Sequence, residues 1–198
     1  MRIYRNLKKR ENERLSKPFS YLLKENEDCK PEECSWVAIT VFDHWLHEDD
    51  SYYLISDATG DQKKKWYGLI FSFLEALTKI EVPLKCKYLG RFPNKRLQLS
   101  EYIGADPIES HVVELFKTTY EPNLVFPNHG FHIWFEDDWT IYIVYQGVES
   151  LMPVLEIVEK IGLFLLPVSS AEHLNKYSEL ADTLSQKGLS KALHRTYR

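Results

Sequence analysis

Cysteine is scarce. Cys29, Cys34 and Cys86 are the only three in 198 residues, an odd number with no C-x-x-C pair. That excludes a disulfide framework and fits a reducing compartment. The spacing of Cys29 and Cys34 would suit zinc, but no second Cys/His pair follows at finger spacing, so ordinary thiols are expected. Glycine is scarce too, eight in all and nowhere dense. There is no P-loop, no G-x-G-x-x-G and no G-x-S-x-G, so the sequence carries neither a phosphate cradle nor a nucleophile elbow. Long apolar runs are missing. The longest, 161–168, is interrupted by Gly162 and Pro167 and falls far short of the ~18 residues that suggest a membrane span. The opening MRIYRNLKKRENERL is basic but lacks the apolar stretch of a secretory signal. A basic excess is also missing: the net charge is -4, which argues against a non-specific nucleic-acid binder. The expectation is a cytoplasmic protein with no nucleic-acid partner and no membrane partner.

Core material is abundant. Hydrophobic residues make up 44% of the chain and aromatic residues 14%, enough for one domain over 1–198 without staples. Residues 3–26 have a weak helical spacing divided by Pro18. The β-branched and aromatic runs WVAITVFD (36–43) and YYLISD (52–57) read as strands. Trp66, Leu69, Ile70, Phe73, Leu74, Leu77 and Ile80 repeat at three and four residues, which predicts a helix capped by Thr59 or Asp61. A strand over VPLKCKYL follows, then an irregular stretch at 90–105. Asp106-Pro107-Ile108-Glu109 has the cap, proline and box residue of a helix start. YEPNLVFPNHG reads as a loop with two prolines. Two strands, a helix from Ser150 to the stop at Gly162, a buried strand LFLLPV and a helix capped by Ser170 complete the chain.

The densest stretch is HGFHIWFEDDWTIYIVYQG (129–147). A loop of the three acids Glu136, Asp137 and Asp138 would pair Phe135 with Trp139 and Ile133 with Ile141. Phe131, Ile133, Phe135, Trp139, Ile141 and Ile143 then share one face, and His132, Trp134 and Tyr142 the other. Because side chains alternate along a strand, only an odd loop keeps the large apolar groups together. An echo accompanies this hairpin. His44 precedes Glu48-Asp49-Asp50 by the same spacing that separates His132 from Glu136-Asp137-Asp138. The matched order of elements suggests two similar α-β-β-α-β halves, 1–95 and 104–169, followed by a C-terminal helix at 170–187. The fold class expected is α+β: antiparallel hairpins with helices packed on one side.

Asp43, His44 and His47 form the best metal-like cluster, since imidazole and carboxylate together suit zinc, manganese or iron. On a strand the two histidines point to opposite faces, so no metal or other cofactor is assigned. Trp66 and Trp139 are expected in the core, and Trp45 and Trp134 beside the acids, as on a recognition surface. The general profile, small, acidic, aromatic-rich and free of catalytic motifs, resembles that of the single-domain immunity proteins that bacteria pair with secreted toxins. The resemblance is one of type; no motif carries it and it transfers no residue. It implies a non-enzymatic inhibitor that binds a basic toxin domain, with Trp45, Glu48, Asp49, Asp50, Trp134, Glu136, Asp137 and Asp138 as the contact residues. The alternatives are a small-molecule binder or sensor with a cleft between two similar halves, and a metal-dependent hydrolase built on Asp43, His44 and His47.

Overall fold

The structure is a computed structural model that describes residues 4–23, 35–91, 94–103, 123–135, 138–145, 147–167 and 171–194. Cys29, Cys34, the helix start at Asp106, Glu136, Asp137 and the Ser170 cap lie outside the described residues. The fold is α+β. Its strands are β1 (Tyr4–Asn6), β2 (Ser35–Thr40), β3 (Leu84–Leu89), β4 (Arg96–Tyr102), β5 (Asn123–Phe126), β6 (Phe131–Phe135), β7 (Thr140–Tyr145) and β8 (Phe164–Pro167). They form one eight-stranded sheet in the order β1-β4-β3-β5-β6-β7-β2-β8. Every neighbouring pair is antiparallel.

The described helices are α1 (Lys9–Ser16), a 3-10 segment (Lys17–Leu23), α2 (Tyr53–Ser56), α3 (Gly60–Ile80), α4 (Val148–Ile161) and α5 (Ala171–Gln186). The apolar stripes of α3, α4 and α5 all bury against one sheet face, around Val37, Ile39, Phe131, Ile133, Ile141 and Ile143. The 3-10 segment covers part of the opposite face, where Phe19 and Tyr21 pack with Cys86, Leu97, Leu99 and Val125.

Local chemistry accounts for the ends of α3 and α4. Thr59 caps α3 with a full capping box: its hydroxyl accepts from the Gln62 N–H at 3.2 Å, and the Gln62 side chain accepts from the Thr59 N–H at 2.8 Å. These bonds satisfy two of the donors that a helix start leaves without intrahelical partners. Thr59→Ala should cost about 1 kcal/mol in urea unfolding, and Thr59→Ser should restore most of it. An unchanged midpoint for Thr59→Ala would show that the cap contributes nothing. Helix α4 stops at Gly162, whose φ of 85° lies in the left-handed region that glycine enters without strain.

The β6–β7 hairpin keeps the expected faces but not the expected register. Phe135 pairs with Ile141 and Ile133 with Ile143, a shift of two residues. An even shift leaves every side chain on its face, so the segregation of apolar groups survives. Trp139 leaves the ladder and takes φ 69° in the turn. Its ring meets Trp66 of α3 edge-on at 5.4 Å.

Several other expectations give way. Residues 53–56 form the single helical turn α2 rather than a strand. Tyr52 and Tyr53 are 58% and 57% exposed, so no sheet face is there to bury this run. The irregular stretch contains β4, where Leu97 and Leu99 point inward between Arg96, Gln98 and Ser100; Gly90 and Pro93 nearby hid this alternation. The proline-flanked loop contains β5, because prolines just outside a short strand end it without breaking its ladder. The N-terminal segment starts as β1 before it becomes helical. Segment 36–89 is therefore β-α-α-β, whereas 131–167 is β-β-α-β. His44 lies in bends after β2 and His132 within β6, so the echo in letters is not an echo of elements.

Candidate functional site

The site is positioned by one strand pairing. β2 and β7 run antiparallel with Thr40 opposite Thr140. The end of β2 and the start of β7 are therefore side by side, as are the chain segments attached to them. Both acid runs, Glu48-Asp49-Asp50 and the one of which Asp138 is described, are joined to this same end of the sheet. Each attached turn holds a non-glycine residue at positive φ, Asp50 at 56° and Trp139 at 69°. Asp tolerates that region, but a bulky side chain enters it only when its surroundings hold it there.

Between the turns is a cleft of about 260 Å³. It opens on the sheet face opposite α3, α4 and α5. Thr40, Thr140, Tyr142 and Leu166 line it from the strands; Phe42, His44, Trp45, Leu46, His47, Tyr52 and Asp138 line it from the loops. The segment after β2 folds back over the sheet and is pinned there, with Trp45 Nε1 donating to the Pro167 carbonyl at 2.6 Å.

Aromatic rings continue from the cleft into the protein. The ring of buried His132 stacks on Trp134 at 5.4 Å, Trp134 on Tyr142 at 4.9 Å and Tyr142 on Trp45 at 6.4 Å. Trp45 in turn lies 5.9 Å from the exposed ring of His47. Trp36 meets Trp134 edge-on at 4.9 Å. Trp45 and Trp134 are thus half-buried links in a stack, not exposed flanks. Trp66 and Trp139 are also half-buried; Trp139 packs against the main core, and Trp66 packs on Trp139 and Phe42.

Hydrogen bonds divide the acids and histidines. Asp43 Oδ1 accepts from His44 Nδ1 at 2.7 Å, while the His47 ring lies against Trp45. Among the described residues no three His, Cys, Asp or Glu side chains converge as metal ligands. Asp49 accepts from the Ser51 hydroxyl, and its other oxygen is 3.2 Å from His44 Nε2. That separation suits charge attraction, but the alignment leaves Nε2 without a hydrogen bond. Asp138 Oδ1 accepts from the Thr140 N–H at 3.1 Å and closes the turn before β7. Both oxygens of Glu48 lie 3.2 Å from His194 Nε2. The C-terminal segment that carries His194 is itself docked, since the Leu165 N–H donates to the Ala192 carbonyl at 2.7 Å.

Three further groups lie outside the cleft. His129 donates to Glu81 Oε2 at 2.8 Å, which holds the β5–β6 turn to the end of α3. Buried His132 shares a hydrogen bond of 2.9 Å with the Tyr21 hydroxyl, and burial alone depresses its imidazole to about 3. Burial also pushes the Cys86 thiol up to about 12, which makes it a poor nucleophile.

The sequence does not mark Thr40, Phe42, Tyr52, Tyr142 or Leu166 as site residues. Alternation does place Thr40 and Tyr142 on the face away from the helices, but nothing local reveals that residues 41–46 fold back to enclose them. No helix among the described residues is long and apolar enough to cross a membrane. Compared with family models, curated proteins and solved structures, the chain matches none.

Proposed function

We propose that the chain is a non-enzymatic binding protein that engages a basic protein partner at this end of the sheet. An immunity-type inhibitor that masks a basic toxin domain is its most concrete form. The observation that carries the proposal is convergence: the loop that carries Glu48, Asp49 and Asp50 and the turn that carries Asp138, distant in sequence, meet at one aromatic-lined cleft. Carboxylates on such a rim steer an oppositely charged partner and raise its association rate, while half-buried aromatics supply anchoring area. Of the residues expected at the contact, Trp45 and Asp138 line the cleft, Asp49 neighbours His44, and Asp50 is exposed on the same loop. Glu48 holds His194, and Trp134 supports Tyr142 from within the stack. A free small-molecule ligand suits the site less well. The cleft, about 260 Å³, is smaller than the roughly 300–1,000 Å³ of drug-sized sites. It lies between a loop and a sheet face rather than between two halves.

The test is kinetic. A partner is first recovered from the native host by affinity capture and mass spectrometry. Its association is then followed by stopped flow over a range of ionic strength. Asp49→Asn, Asp50→Asn and Asp138→Asn together should slow association about tenfold at low salt and flatten its salt dependence. Identical rates for the triple variant and the wild type would remove these turns from the interface.

A further inference from the structure

The acidic loops have a counterpart of opposite sign. Between Tyr4 and Leu23 the exposed cations Arg5, Lys8, Lys9, Arg10, Arg14 and Lys17 are set against only two acids, Glu11 and Glu13. The β3–β4 hairpin adds Lys85, Lys87, Arg91, Lys95 and Arg96 against Glu101. These segments lie together. Asn12 of α1 clamps the edge of β4: its Nδ2 donates to the Leu97 carbonyl at 2.9 Å, and its Oδ1 accepts from the Leu99 N–H at 2.7 Å. Residues 40–61, by contrast, carry six acids and no lysine or arginine. The net charge of -4 is therefore an average over two regions of opposite sign. β4 and β7 are four places apart in the sheet. At ~4.8 Å per place that is roughly 19 Å, beyond the Debye length of ~8 Å at physiological ionic strength, so each region attracts its own partner.

The fold gains little from the cations of α1. The helix buries no residue, and Lys8 at its N-cap makes no side-chain capping bond. Lys8, Lys9 and Arg10 crowd the end where the backbone dipole is positive, which costs stability. Arg5 pairs with Glu101 at 2.7 Å, and Lys85 and Lys95 lie over the Tyr4 and Tyr88 rings at 4.2 and 3.9 Å. Among the described residues the other cations of the region form no ion pair. Arg10, Arg14 and Lys17 follow one another at four and three residues, so they form one exposed stripe on the side of α1 away from Asn12.

Such a stripe calls for a partner with closely repeated negative charge. A membrane surface would also need apolar groups to insert, but Leu7 and Leu15 are turned inward against the core around Phe19 and Tyr21. An acidic protein would need aromatic anchors, and a single strand would need open rings for its bases; the tyrosines here already carry lysines. A duplex needs neither, because its dense phosphates bind cations directly.

We infer that α1 and the β3–β4 hairpin form a surface for the phosphate backbone of double-stranded nucleic acid. The contact is independent of base sequence, and it does not depend on the inhibitor function proposed for the acidic end.

The experiment titrates the full chain into a fluorescein-labelled DNA duplex of about 20 base pairs and reads anisotropy over a range of salt. Binding should saturate at about 50 mM salt and weaken as salt rises, with a log–log slope of about -4, the value for roughly four or five phosphates. Arg10→Gln, Arg14→Gln and Lys17→Gln together should weaken it at least about tenfold and reduce the slope by about 3. Lys63→Gln, Lys64→Gln and Lys65→Gln remove the same charge from the start of α3 and should leave it within about twofold. Glu11→Gln with Glu13→Gln should tighten it several-fold, a gain that damage to the fold cannot mimic. Equal losses for the two triple variants, or no binding at low salt, would overturn the surface. Tighter binding of an oligothymidylate, polyglutamate or phosphatidylserine vesicles than of the duplex would overturn the choice of partner.

Discussion

Ile141→Ala should lower the unfolding free energy by roughly 2–5 kcal/mol, while Lys79→Ala on an exposed helix face should stay within about 0.5 kcal/mol of wild type. Ile141 is fully buried. It pairs with Ile39 of β2 on one side and Phe135 of β6 on the other, and its side chain faces α3, α4 and α5. Truncation removes three methyl or methylene groups from water-free packing and leaves a cavity that two flanking strands cannot close. The 3-10 segment cannot help, because it packs on the other face. For a chain whose total stability is on the order of 10 kcal/mol, this is a large fraction. Urea unfolding of both variants, with an unchanged m-value, measures it. A cost below about 1 kcal/mol for Ile141→Ala would mean that this face is not the core.

What the sequence shows directly is what short-range physics determines. The 3.6-residue stripe from Trp66 to Ile80 marks α3, and Thr59 with Gln62 marks its start. The alternation in FHIWF and TIYIVY assigns each side chain to a face, and the assignment holds because burial of Phe131, Ile133, Ile141 and Ile143 outweighs any turn preference. Parity, however, is all that alternation fixes. It could not distinguish a partner of Phe135 at Trp139 from one at Ile141, because both put the same groups inside. What the pattern leaves open is where the turn falls: Trp139 takes φ 69° there, and its ring meets Trp66, far away in the chain. The cleft is of the same kind. Trp45 is held by a carbonyl 122 residues away, and Glu48 by a histidine 146 residues away. Tyr52 and Tyr53 have strand-type composition, yet what prevents a strand is the lack of any partner, which no local pattern displays. The repeated spacing of His44 and His132 from their acids misled for the opposite reason. Such a repeat is equally compatible with a bend after β2 and the middle of β6.

Acidification should destabilise the protein through His132, and the loss should be complete before the pH falls much below 3. His132 is 2% exposed on β6 and its register partners are Val125 and Val144. The Trp134 ring stacks on it and the Tyr21 hydroxyl meets its Nδ1. Burial lowers its folded-state pKa from the ordinary 6.5 to about 3. The unfolded chain therefore takes up a proton near 6.5 that the native fold refuses. Stability from this residue is fully present above 6.5, falls as the pH drops through the window from 6.5 to about 3, and changes no further once both states are protonated. The gap corresponds to on the order of 5 kcal/mol, with a slope of about 1.4 kcal/mol per pH unit inside the window. Urea unfolding at intervals from pH 7.5 to 4 reads this slope. The control is the double variant Tyr21→Phe with His132→Phe, which removes both members of the hydrogen bond and leaves neither unsatisfied. Its stability should fall less steeply than that of the wild type by about one proton's worth across the window. His44, His129 and His194 each face a carboxylate and are retained in both proteins, so the comparison isolates the Tyr21–His132 pair. Parallel curves for the two proteins would show that His132 takes up its proton in the folded state, and that the joint between the 3-10 segment and the sheet is open to water.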